Sequence, residues 1–238
     1  MLQPAEIERA LVITAHPDDV DFGAAGTVAV LTDAGVEVTY CLVTDGDAGG
    51  FDQSIPRPEM ASMRRIEQTR AAKEVGVESL VFLGHGDGRV VADLTLRRDL
   101  SRVIREVRPQ LVITQSAERD LDRIYASHSD HLATGDAAIS AVYPDSRNPF
   151  AYPELIDEGL LAWTVAEMWV MGGKATNAHI DITDQLERKI RALMCHETQH
   201  TEPPATADRV RAWVVATAEM VGLVDGRAAE AFYVVDTR

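Results

Sequence analysis

Four short apolar runs recur along the first 142 residues, and each is followed by a polar loop and then a helical pattern. The runs are Val12–Ala15, Val36–Val43, Ser79–Leu83 and Leu111–Thr114. They are nearly continuous in apolar or β-branched residues, as strands covered on both faces are. The helical patterns are Gly26–Ala34, Glu59–Val75, Leu94–Val107 and His131–Val142, with Gly35, Gly76 and Pro109 placed as stops. Strand and helix alternating in this way predict a parallel sheet with right-handed crossovers. Ligands of such sheets bind beyond the carboxyl ends of the strands.

The rhythm then loosens. Residues 143–159, with Pro144, Pro149 and Pro153, read as irregular. Val165–Met171, Ala178–Ile182 and Ala231–Val235 read as strands, and Asp184–His200 and Ala205–Met220 as helices. No linker or repeat interrupts the chain, so residues 1–238 are expected to form one domain.

Composition narrows the function. The formal net charge is −15, which argues against affinity for a nucleic-acid backbone. Cys41 and Cys195 fall in a strand and a helix, so neither a disulfide framework nor a cysteine zinc motif is expected. No apolar run reaches the roughly 18 residues a membrane span needs, and the N-terminus lacks a signal-peptide pattern. No membrane association and a cytoplasmic location are the expectations.

The chemistry concentrates in two loops. Ala15-His16-Pro17-Asp18-Asp19 follows the first strand, and Ser127-His128-Ser129-Asp130-His131 follows the fourth. Imidazole and carboxylate are the ligands zinc favours, and a catalytic zinc keeps one position open for water. Two His/Asp clusters at the ends of parallel strands can supply nitrogens and an oxygen to one metal and leave groups for acid–base work. Iron(II) or manganese also suits a two-His, one-carboxylate set. No Gly-x-Gly-x-x-Gly or Gly-Lys-Ser/Thr loop supports nucleotide binding.

These residues resemble the LmbE / PIG-L family of zinc-dependent N-deacetylases. The resemblance rests on Ala15–Asp19, on His128–His131, on Arg64 and Glu67 in the third helix pattern, on Phe82–Gly88, and on Asp181–Gln199. It implies an α/β, Rossmann-like three-layer sandwich with a mostly parallel sheet. It implies that His16, Asp19 and His131 bind one Zn2+, that Asp18 is the general base, and that His128 is the acid or the oxyanion partner. Asp130 would orient His128, and Arg64 would contact substrate. The substrate implied is an N-acetylglucosamine-type or related small N-acyl molecule; the alternatives are a non-sugar amide or ligand binding without turnover. Family members often assemble, so a homo-oligomer is possible by analogy.

Three positions depart from the pattern: Val20 with Asp21 next where many members have Glu, Ser129 for Pro, and Thr198 for Ser. None removes a metal ligand. Asp47 after the second strand, His85 after the third, and His196 near the late motif are further candidates for lining the pocket, although His196 could equally bridge helices. His179 and His200 read as surface or structural.

Overall fold

The computed structural model describes residues 1–238 except Arg123, and of Ala126 the backbone only. Both lie in the polar loop expected over 115–130, so that part of the expectation falls outside the described residues. β1 (Arg9–Thr14), β2 (Glu37–Thr44), β3 (Ser79–His85), β4 (Leu111–Gln115) and β5 (Glu167–Met171) lie parallel in one sheet. β6 (Ala178–Asp181) and β7 (Ala229–Asp236) complete it, with β7 antiparallel to both β5 and β6. The strand order is 3-2-1-4-5-7-6. The three-layer, mostly parallel α/β fold expected from the sequence is therefore the fold of the chain.

Alternation along β1 explains the layers. Ala10 and Val12 face one core, with residues of α2 (Ala25–Asp33), α3 (Arg57–Glu74) and α7 (Leu186–Met194). Leu11 and Ile13 face the other, with α4 (Leu94–Val107) and α5 (Ser129–Ser140). All four β1 residues are essentially inaccessible to solvent, so the strand reads as a continuous apolar run because both its faces are covered. A short α6 (Pro153–Asp157) sits in the segment expected to be irregular, and α8 (Pro203–Met220) packs on α7 and β7.

The connection order fixes the site. From β1 the chain moves outward through β2 to β3, then returns to place β4 on the other side of β1. The loops leaving β1 and β4 consequently diverge on opposite faces of the sheet and leave a crevice between them, at the switch point where such folds bind ligands. The two His/Asp motifs sit in those two loops.

Two other expectations shift. The helix expected over 184–200 is α7 with a short turn on either side. The strand expected to end at Leu83 runs on to His85, with a register irregularity before its last residue.

Candidate active site

β1 ends at Thr14 and α1 (Asp19–Gly23) begins five residues later. Between them the chain turns sharply, and Asp18 takes a left-handed conformation, φ 91°. Ala15 N–H donates to the Gln115 side chain at 2.9 Å, which ties this turn to the end of β4. Asp19 caps the turn locally: its Oδ2 accepts from His16 N–H at 2.7 Å.

His16 is 8 % exposed and has a distinct role for each ring nitrogen. Its Nε2 lies 3.1 Å from Asp87 Oδ1 and 3.2 Å from Asp130 Oδ2, so this nitrogen carries the proton. Its Nδ1 faces Asp19 Oδ2 at 3.4 Å. His131 Nε2 faces the other oxygen of Asp19 at 3.0 Å. A carboxylate only accepts hydrogen bonds, and an imidazole lone pair repels it. Two imidazole nitrogens converging on one carboxylate must therefore each carry a proton or share a cation with it. Burial disfavours a charged His16, yet the bonds to Asp130, Asp19 and Asp87 outweigh it and hold its pKa up to about 12. That value expresses the excess negative charge of the cluster. His131 lowers the Asp19 carboxyl well below its usual range against the opposing effect of burial.

His128, His16 and His131 each offer a ring nitrogen, all within 4.8 Å of one another. His128 nonetheless differs from the other two. Its Nδ1 accepts from the Asp130 backbone N–H at 3.2 Å, so the proton of the neutral ring is on Nε2, and neither nitrogen has a lone pair free for a metal. Burial and the neighbouring His16 and His131 push its pKa down, which favours the neutral ring. His16 Nδ1, Asp19 and His131 Nε2 could thus hold a divalent cation, with Asp130 and Asp87 placed to orient His16.

The Asp130 expectation needs correction on this point. Its carboxylate does not hold His128. It accepts from Gly88 N–H at 2.7 Å and Val90 N–H at 3.3 Å and faces His16; the hydrogen bond to His128 comes from the Asp130 backbone N–H. Asp130 lies in the first turn of α5, and its side chain reaches toward the loop after β3 rather than to the residue two places earlier. Gly135 lets α5 come this close, since a Cβ there would stand 2.4 Å from Gln115 O.

Arg64 is also corrected. It is 3 % exposed, and its guanidinium donates to Gly46 O at 3.0 Å, to Pro17 O, and to Asp18 Oδ2 at 3.1 Å. It braces the general-base candidate instead of lining a free pocket. Gly46, at φ 65°, makes this possible, because a Cβ there would lie 2.2 Å from Arg64 Nη1. Asp18 itself has its pKa raised by burial, against the lowering effect of Arg64.

His85 and His196 do not line the crevice. His85 ends β3 just after a register irregularity, and its Nε2 meets Asp99 of α4 at 3.2 Å. His196 is fully buried and its Nε2 lies 2.8 Å from Asp21 Oδ2. Asp47 stands at the rim, bound to Arg57 at 2.7 Å and accepting from Asp87 N–H at 3.3 Å. Thr198 keeps the hydroxyl of the late motif and donates to Glu67 at 2.8 Å. The residue missed in the sequence is Asp87. The signal for it is the Gly-flanked turn at 84–88, which carries both His85 and Asp87.

A buried His/Asp cluster able to hold a cation, with a braced carboxylate beside it at the strand ends of an α/β sheet, is an arrangement suited to metal-assisted hydrolysis. The family model for GlcNAc-PI de-N-acetylase, PIG-L, matches residues 11–142, and the chain belongs to that family. Diacetylchitobiose deacetylase of Thermococcus kodakarensis is 33% identical over 197 residues, 83% of this chain and 72% of the relative. A "Probable N-acetyl-alpha-D-glucosaminyl L-malate deacetylase 2" of Bacillus subtilis is 30% identical over 81% of this chain and 83% of its own length. The solved structure of N,N'-diacetylchitobiose deacetylase from Pyrococcus horikoshii, complexed with its inhibitor MPG, superposes with a TM-score of 0.90 at 29% identity, covering 98% of this chain and 85% of that one. The protein is thus an N-deacetylase, a hydrolase of a metal-dependent family. Among the described residues no helix is long and apolar enough to cross a membrane.

Proposed function

We propose that the protein hydrolyses the acetamide of an N-acetylglucosamine-type sugar, free or conjugated, with Zn2+ held by His16, Asp19 and His131. The single observation that carries this reading is the convergence of His16 Nδ1 and His131 Nε2 on the two oxygens of Asp19. Bound there, zinc acts as a Lewis acid: it lowers the pKa of water toward about 7 and withdraws charge from an amide oxygen.

The chain's own groups complete the reaction. Asp18 accepts the proton of the attacking water as its oxygen adds to the amide carbon, a role that typically speeds reaction about 10²–10⁴-fold. The carbonyl π pair moves onto oxygen, where the Nε2–H of neutral His128 donates to it. As the C–N bond breaks, Asp18 returns its proton to the leaving nitrogen, giving acetate and an amine. The hydrogen bond from Asp130 N–H to His128 Nδ1 supports Asp18 over His128 as the proton donor, since it keeps His128 in its neutral tautomer. Cys41 and Cys195 are free thiols, in keeping with the reducing cytoplasm that this reading assigns to the protein.

The test is amine release from N-acetylglucosamine, N,N'-diacetylchitobiose, and the malate and inositol conjugates, with metal content measured on the same sample. Turnover abolished by a chelator and restored by zinc is expected. Asp18→Asn should keep its zinc and lose most turnover; full activity in that variant would remove Asp18 as the base. His131→Ala should purify without metal.

A further inference from the structure

Among the buried polar groups that the mechanism leaves unused, one lies directly behind the proposed base. Gln68 is on α3, one turn after Arg64, and is completely buried. Its Oε1 accepts from Asp18 N–H at 2.8 Å. Its Nε2 donates to Asp21 Oδ2 at 2.9 Å. The same Asp21 oxygen lies 2.8 Å from His196 Nε2, and both of those residues have no solvent exposure. The two ends of the amide have opposite requirements: an N–H at Asp18 and a carboxylate at Asp21. Only one orientation of a glutamine side chain satisfies both.

Asp18 needs such a hold. A non-glycine residue at φ 91° persists only where its surroundings enforce it. Arg64 grips the Pro17 carbonyl and the Asp18 carboxylate, and the Asp18 carbonyl is taken by Asp21 and Phe22 N–H at 2.9 and 3.0 Å. Gln68 supplies the remaining restraint, on the Asp18 N–H. We propose that Gln68 is a positioning residue for the general base, an amide clamp seated on the buried Asp21–His196 pair that fixes the Asp18 backbone and so the aim of its carboxylate. The proposal rests on the reading of Asp18 as the base.

Gln68→Met and Gln68→Glu separate positioning from packing. Methionine keeps the volume but has no acceptor for Asp18 N–H. Glutamate keeps the acceptor but sets a second carboxylate against Asp21. A misplaced catalytic group costs up to about 10²-fold, so Gln68→Met should lower kcat about 10- to 100-fold with KM within about twofold and zinc content unchanged. Gln68→Glu should retain more kcat than Gln68→Met while having the lower Tm of the two. If Gln68 merely fills space, kcat and Tm fall in the same order and methionine is the better substitute; that result overturns the proposal. In an Asp18→Asn background, Gln68→Met should change the residual kcat less than about twofold, because its effect passes through Asp18. An additive loss there also overturns it. Wild-type turnover by Asp18→Asn alone overturns the base assignment and the clamp together, whereas an inactive Asp18→Asn beside a fully active Gln68→Met overturns the clamp alone.

Discussion

Asp18 is held by opposing influences that set the pH range over which it can work. Burial raises its carboxyl pKa, and the adjacent Arg64 charge pulls it down. A general base works only as the carboxylate, so kcat/KM should rise with pH through this pKa, and the acid limb of the profile reports it. Removing the Arg64 charge leaves burial less opposed, and the pKa rises further. Arg64→Met should therefore move the acid limb to higher pH and also lower the plateau, since Pro17 and Gly46 lose their donor. A pH–rate profile at fixed zinc checks this, and a limb that stays in place or moves to lower pH would contradict it. The residues that gather in the crevice were legible in the sequence because two His/Asp clusters follow two parallel strands, where either cluster alone could be a turn and helix cap. Their partners were less so. His85 and Asp87 are two places apart in one turn, yet His85 pairs with Asp99 while Asp87 reaches His16. Arg64 in a helix pattern reads as a contact for substrate; its burial against Pro17 depends on Gly46, eighteen positions away.

At the scale of elements, the start of α2 is anchored by a buried ion pair. Glu230 on β7 accepts from Gly26 N–H at 3.0 Å and Thr27 N–H at 2.7 Å, where a carboxylate offsets the orphan donors of a helix start. Lys189 on α7, with no exposure, meets Glu230 at 2.7 Å and donates to the carbonyls of Asp21 at 2.9 Å and Phe22 at 2.6 Å. This ties α1 and α2, and hence the turn that carries Asp18, to the C-terminal third of the chain. Lys189→Met strands a buried carboxylate and should cost about 3–5 kcal/mol, measured by urea denaturation. Adding Glu230→Gln should recover part of that loss; equal and additive costs would show that the two do not act as a pair. None of this was legible beforehand. A lysine in LERKIRALM looks like a solvated helix residue, and nothing local tells that β7 runs antiparallel into β5 and β6. The first four strands were legible because each is followed by a helix that forces a parallel crossover.

For the whole molecule, the switch point between β1 and β4 brings Asp19, Asp87 and Asp130 around His16 in a chain already at net charge −15. Without a metal, that charge is offset by a proton. The His16 pKa is raised from 6.5 to about 12, with burial opposing and the three carboxylates prevailing. A raised folded-state pKa gives stability that is fully present below the unfolded value of about 6.5 and is lost as pH climbs toward the folded value. The metal-free protein should thus lose Tm as pH rises above about 6.5. The zinc form should not follow it, because zinc takes the place of the proton and binds more tightly as protons become scarce. With free metal at a hundred times Kd, binding stabilises by about 2.7 kcal/mol. At about 2–4 °C per kcal/mol for a chain of this size, chelation should lower Tm by about 5–10 °C near neutral pH. The gap between zinc-loaded and chelated samples should then widen from pH 6 to pH 9. A gap that is constant or narrows over that range would mean that the His16 cluster is not where the metal binds. Chelation without any effect on Tm would mean that these three carboxylates are reconciled by something other than a cation.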